Sequence, residues 1–188
     1  LIVNRQNRDT AIHLADLKKI LQGKRSTSNA RGNMLYEVVF DQPNSGIIRF
    51  LRDSLGTSDP LPEYCFALDG NKAVVDYVSK NRNALGLIDV SWISDRDDST
   101  ANSFLRSIKV MAVSDDSVFY QPYQAFIAQK QYPLLRDVIM ISREARAGLA
   151  SGFMAFIASD KGQRIVLTSG LVPATMPIRI VEVNHEPL

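Results

Sequence analysis

The chain of 188 residues has one cysteine, one tryptophan, two histidines and a net charge of only +2. Each scarcity excludes something. A single cysteine, Cys65, forbids an intramolecular disulfide and leaves the compartment undecided. It stands in the apolar run Tyr64-Cys65-Phe66-Ala67, where a thiol reads as buried and structural. His13 precedes Leu14 at a helix start and reads as a local cap. His185 lies in the terminal tail, and neither histidine has acidic neighbours at ligand spacing, so no metal site is expected. The small net charge argues against nucleic acid and against a membrane surface as partners. Lys18, Lys19, Lys24, Arg25 and Arg31 cluster early and read as a solvated face. The longest apolar stretch, Gly148 to Ala158, is too short to cross a bilayer. There is no signal peptide, and Leu1-Ile2-Val3 reads as the interior of a strand, so the chain is expected to be cut from something longer. No Walker loop, Gly-x-Gly-x-x-Gly, Gly-x-Ser-x-Gly or His-Glu-x-x-His occurs. Nothing assembles a nucleophile, a base and oxyanion donors, so neither catalysis nor a cofactor is expected.

What is present suits an α/β protein. A hydrophobic content of 45% is enough for a real core, and 22% charged residues is ordinary for a globular chain. Strand-like runs at 1–3, 35–40, 64–67, 85–90, 108–113 and 138–141 alternate with helical spacing at 14–21, 46–55, 71–80, 120–130, 145–158 and 161–168. Gly23, Gly56 and Gly170 stand where helices end. Asn71 is placed to cap the helix it opens. Residues 24–33 read as a loop and 178–183 as a half-buried strand. The acidic, polar stretch 94–103 reads as mobile and as the division between two lobes.

The junction at 36–51 carries the most chemistry. Val38-Val39-Phe40 is an apolar strand, and Asn44-Ser45-Gly46 open an amphipathic helix with Ile47, Ile48, Phe50 and Leu51. A helix N-terminus at the end of a strand presents unpaired N–H groups and a favourable dipole, which is where α/β proteins hold anions. Gly46 allows close backbone approach and Ser45 adds a hydroxyl. The same residues also suit a plain helix cap.

Several segments together resemble the phosphate-type periplasmic substrate-binding proteins of ABC transporters. They are Leu1 to Asn4 with Leu14 to Lys24, the loop Asn44-Ser45-Gly46, the strand Ala84 to Ile88, and Tyr132-Pro133-Leu134 followed by Phe153 to Phe156, Lys161-Gly162-Gln163 and Gly170 to Pro173. The resemblance implies a two-lobed, type II periplasmic-binding-protein fold, the Venus flytrap, with its first lobe incomplete here. Residues 1–90 would be the inserted second lobe, and 91–188 the return to the first. It also implies a non-enzymatic binder of phosphate or a similar oxyanion, held between the lobes by Ser45 and Gly46, with Asn44, Asp41 and Ile47 beside them. The partner would be a membrane ABC permease. The compartment would be the periplasm, or the cell envelope if the full-length chain is a lipoprotein. An incomplete sheet would expose apolar faces and favour self-association.

The chain departs from the family at two positions. Arginine usually stands four residues before the loop serine, and here it is Asp41. Threonine usually follows the glycine, and here it is Ile47. Asp41 either accepts a proton from a protonated phosphate or is a turn residue. Arg49 either leans back toward the loop or is solvated. Arg136 and Arg143 flank the run 138–141, facing either an anion or solvent, and Ser91-Trp92 follow a strand as hinge or core residues. These departures favour a second reading, an interaction or sensory module that has lost anion binding. A third is a regulatory domain of the kind that follows winged-helix transcription factors.

Overall fold

A computed structural model describes residues 1–24, 36–57, 60–94, 97–144 and 146–175. The expected loop at 24–33, apart from Lys24, and the expected strand at 178–183 lie outside these residues, as do Arg25, Arg31 and His185.

The first strand, β1 (Ile2–Asn4), is wholly buried. It is followed by β2 (Ala11–His13) and α1 (Leu14–Leu21), which buries Leu17, Ile20 and Leu21. His13 occupies the cap position of α1 but makes no side-chain cap bond; its ring packs 4.7 Å from that of Phe119. Gly23 ends α1 with φ +80°, the left-handed turn that glycine adopts without penalty.

Next come β3 (Glu37–Phe40), α2 (Gly46–Leu55), β4 (Cys65–Ala67), α3 (Gly70–Lys80) and β5 (Ala84–Leu87). Cys65 is buried, as its apolar neighbours imply. Asn71 does not cap α3. Asp69 holds that position without a side-chain cap bond, and Asn71 is the second residue inside the helix, its Oδ1 shielded from water and without a partner among the described residues. The acidic stretch is not irregular either. It runs from the end of α4 (Ser91–Ser94) into α5 (Ser99–Ser107), and the Asp98 carboxylate accepts from the Thr100 N–H to start α5. Acidic residues placed before a helix stabilise it, which is why composition alone misled.

The run 108–113 makes two strands, β6 (Ile108–Val110) and β7 (Ala112–Ser114). Met111 lies between them, buried, with its N–H on the Leu1 carbonyl. The five-stranded sheet has the order β4-β3-β5-β1-β6, and β2 pairs with β7 in a separate parallel pair. β3 runs parallel to β4 and β5, while β1 is antiparallel to both β5 and β6. Sheet pairing thus carries β6 and β7, both beyond residue 90, onto strands of the first 90 residues.

Two apolar clusters hold the sheet. One lies between the sheet, α1 and α2 and includes Leu17, Val38, Ile47, Ile48, Leu87 and Tyr132. The other faces α3 and α5 and includes Ile2, Val39, Val74, Val78 and Phe104. Asn4 ties β1 to the end of α3: its side-chain amide donates to the Val78 and Ser79 carbonyls at 2.9 and 2.7 Å. Those carbonyls are among the last of the helix, which have no intrahelical donor.

The rest of the described chain is α6 (Gln124–Ala128), an extended strap through Tyr132, α7 (Leu149–Ala158) and α8 (Asp160–Thr168). The expected strand at 138–141 does not form. Val138, Ile139 and Ile141 are 88%, 77% and 83% exposed, and no described strand pairs with them. A strand needs a ladder partner for its backbone groups, and apolar β-branched residues cannot supply one alone. α7 is apolar in sequence yet buries no residue.

Close packing around β5 gives a test. A Cβ on Gly86 would lie 2.7 Å from Ile2 and 2.8 Å from Val78 side-chain carbons, whereas one on Gly152 in α7 would meet nothing within 4 Å. Gly86→Ala should cost about 1–3 kcal/mol in urea unfolding. Gly152→Ala should be neutral or gain up to about 1 kcal/mol. Equal midpoints for the two variants would contradict this packing.

Candidate functional site

The parallel strands β3, β4 and β5 end along one edge, with Phe40 opposite both Ala67 and Leu87. Chain leaving that edge turns directly into α2 and α3. The Leu68 N–H donates to the Phe40 carbonyl and the Gly70 N–H to the Asp41 carbonyl, at 2.8 and 3.0 Å, so the start of α3 is tied to the end of β3. Both helices therefore open beside the same strand end.

Ser45 is the N-cap of α2, with extended backbone, and its Oγ accepts from the Ile48 N–H at 3.3 Å. The cap reading of Ser45 is thus realised. It uses a lone pair and leaves the hydroxyl hydrogen available as a donor. The N–H groups of Gly46 and Ile47 have no protein acceptor among the described residues, as expected for the first turn of a helix. Gly46 is exposed and Ile47 buried. The side chain of Ile47 turns into the first apolar cluster, so only its backbone can serve the site. Asn44 is exposed. Arg49 is exposed as well.

Asp41 is half-buried, and its Oδ1 is shielded from solvent with no hydrogen-bond partner among the described residues. A shielded carboxylate oxygen without a donor is costly and implies an unfilled contact.

Of the two arginines that flank the run 138–141, the structure brings Arg136 to this edge. Arg136 donates through Nη2 to Asp89 Oδ1, and its guanidinium lies over Gly46, where an added Cβ would fall 3.5 Å from Cζ. The strap explains its position. Tyr132 is buried in the first apolar cluster, with Leu134 and Leu135 packed against it, beside Ile47 and Leu87. The next residue emerges at the α2 N-terminus. The Tyr132-Pro133-Leu134 run was the available signal, since an apolar anchor fixes where the polar residue after it comes out. Trp92, by contrast, is exposed on α4 and packs loosely on Phe104, so it is not a core residue. The described residues contain no group of histidine, cysteine and carboxylate side chains able to hold a metal.

Comparison with known proteins gives three findings. A family model described as the PBP superfamily domain matches residues 1–161. No curated protein matches by sequence. Solved structures match in fold: a phosphate ABC transporter substrate-binding protein from Clostridium perfringens, with bound phosphate, is 21% identical with a TM-score of 0.73, over 93% of this chain and 67% of that one. An ABC-type phosphate transport receptor from Vibrio cholerae is 18% identical with a TM-score of 0.65, over 94% and 68%. PstS from Borrelia burgdorferi is 19% identical with a TM-score of 0.64, over 92% and 67%. The chain spans about two thirds of the length of these structures. At such identities the likeness establishes the fold: the mixed sheet and its helices are those of periplasmic-binding-protein-like domains.

The cap itself is testable. Ser45→Ala should lower stability by about 0.5–2 kcal/mol, and Ser45→Asp, which keeps a capping oxygen, by much less. Urea unfolding of both variants checks this, and equal losses would show that the bond to Ile48 carries little.

Proposed function

The chain belongs to the PBP superfamily, and on that premise we propose that it is a solute-binding protein of an ABC importer that holds phosphate or a similar oxyanion at the start of α2. The observation that carries this reading is the pair of unpaired N–H groups at Gly46 and Ile47, beside the free hydroxyl hydrogen of Ser45. A tetrahedral oxyanion loses a water shell on binding and needs such fixed donors in its place. Asn44 borders the loop. Asp41 accepts the O–H of a protonated oxyanion through its unpartnered Oδ1, which distinguishes phosphate from sulfate, since sulfate carries no proton at neutral pH.

In this reading the protein works outside the cytoplasm, in the periplasm or at the cell envelope, and performs no catalysis. Lobes close on the anion, and the closed form is offered to a membrane permease. No helix among the described residues is long and apolar enough to cross a membrane. The proposed lobes are residues 1–90 and 91–188, although β6 and β7, beyond residue 90, pair with strands of the first 90 residues. The exposed apolar residues at 138–141 and on α7 support self-association of this chain when it is taken alone.

A second reading, an interaction or sensory module without anion binding, is favoured by one observation. Asp41, Asp69 and Asp89 all follow the ends of the parallel strands, so the edge carries carboxylates as well as donors.

Isothermal titration of the full-length protein with phosphate separates the two. Binding is expected, with sulfate weaker. Ser45→Ala should cost about 0.5–1.5 kcal/mol of affinity, up to about 3 if its hydroxyl meets the charged oxygen. No heat at millimolar phosphate would select the interaction module.

A further inference from the structure

The contact between Arg136 and the α2 N-terminus is electrostatically unusual. The N-terminus of a helix is its positive end, so cations are ordinarily found at the other one. Here a guanidinium lies over the first helical residue, close enough that a Cβ on Gly46 would displace Nη1. Nearby N–H groups are without acceptors. Asp89 touches the guanidinium through Nη2 only, which leaves Nη1 turned to the loop. Two positive ends thus meet around unfilled donors, and one carboxylate balances them from the side. The arrangement has room, in charge and in hydrogen bonds, for a further negative group between Nη1 and the Gly46 amide.

We propose that Arg136 is the charged donor that determines anion affinity in this protein, taking the part that Asp41 cannot play, and that Asp89 is a positioning residue holding its fork over the loop. This rests on the reading of the α2 N-terminus as the oxyanion site. A guanidinium can offer two parallel N–H donors in one plane. With one edge engaged by Asp89 the other keeps a fixed direction. The side chain pairs are only about one-third exposed, at 33% for Arg136 and 35% for Asp89, so the ion pair is partly shielded from competing water and salt. The strap anchored by Tyr132, Leu134 and Leu135 delivers this charge from a segment outside both sheets. An anion held here is therefore gripped by two separate parts of the chain.

The test is isothermal titration of the full-length protein with inorganic phosphate at low and high salt, for wild type, Ser45→Ala, Arg136→Gln, Arg136→Lys and Asp89→Asn. Melting curves without phosphate report folding, and Arg136→Lys keeps the charge should the glutamine variant be unstable. Arg136→Gln should weaken phosphate by about tenfold or more and flatten the salt dependence, because a charge-assisted bond is lost. Arg136→Lys should fall between, with the salt dependence retained. Asp89→Asn should weaken binding by a smaller factor with wild-type salt dependence, since the guanidinium charge remains. If wild type binds and Ser45→Ala weakens it, but Arg136→Gln matches wild type at both salts, the anion site stands and the role of Arg136 is overturned. Tighter binding by Asp89→Asn would make Asp89 a competitor of the anion and overturn its positioning role. No binding by wild type would remove the site and this inference together.

Discussion

Parallel pairing of β3 with β5, Phe40 opposite Leu87, is the constraint on which the polar end of this protein depends. Parallel strands deliver their C-terminal ends to one edge, and the chain must leave each of them through a crossover. β3 is followed by α2, and β4, parallel on the other side, by α3. Two helix N-termini are thereby brought to one line without any contact designed for that purpose. Their free N–H groups have to find acceptors there, in neighbouring backbone, in side chains, in water or in a guest. α3 meets part of that need with the Asp41 carbonyl. α2 meets one donor with Ser45 and leaves two. The two helices differ in how they are capped: Ser45 caps α2 through its side chain, whereas Asp69 makes no side-chain cap bond on α3.

That edge stays in register only because the middle of the sheet is tightly packed. Gly86 lies between Ile2 and Val78, with no space for a side chain. β1 can then cross antiparallel beside β5, and α3 can sit close over both. Asn4 closes the arrangement by meeting the last carbonyls of α3. The opposite face is filled from a distant part of the chain. Tyr132, Leu134 and Leu135 join the cluster around Ile47 and Leu87, and so the burial of apolar strap residues sets the location of a charged one. Hydrophobic burial is non-directional, but the residue that follows a buried anchor has little freedom of place.

Much of this was legible in order along the chain. Val38-Val39-Phe40 is a buried strand in sequence and in structure, and Gly23 and Gly56 end helices in the left-handed conformation their type suggests. The loop at Ser45 was legible because a polar cap, a glycine and an apolar stripe follow one another locally. The place of Arg136 was legible only as one of two arginines flanking 138–141, since its partner Asp89 is 47 residues away. Asn71 misled because a capping residue and the residue two places later look alike without backbone angles. The stretch 94–103 misled because polarity was read as mobility, when a capped helix from Ser99 with Ala101 and Phe104 buried needs only one apolar stripe. The run 138–141 misled in the opposite sense. Its apolar β-branched residues fit a strand, but propensity for a pleated surface has no effect where no neighbouring strand offers a ladder.

The charge balance at the edge decides what kind of guest suits it. Asp41, Asp69 and Asp89 follow the three strand ends, and Arg136 is the cation brought among them. A fully ionised anion gains from the helix end and from the guanidinium but is repelled by every carboxylate it approaches. Asp89 is already neutralised by Arg136, and Asp69 is exposed to water, which screens it. Asp41 Oδ1 is shielded from water and has no hydrogen-bond partner among the described residues. A guest that carries its own proton converts that repulsion into a hydrogen bond, with the guest donating and Asp41 accepting. An aspartate at position 41 is therefore compatible with the proposed anion site. In the proposed site it favours oxyanions that retain a proton, with Arg136 on the strap as the cation beside them.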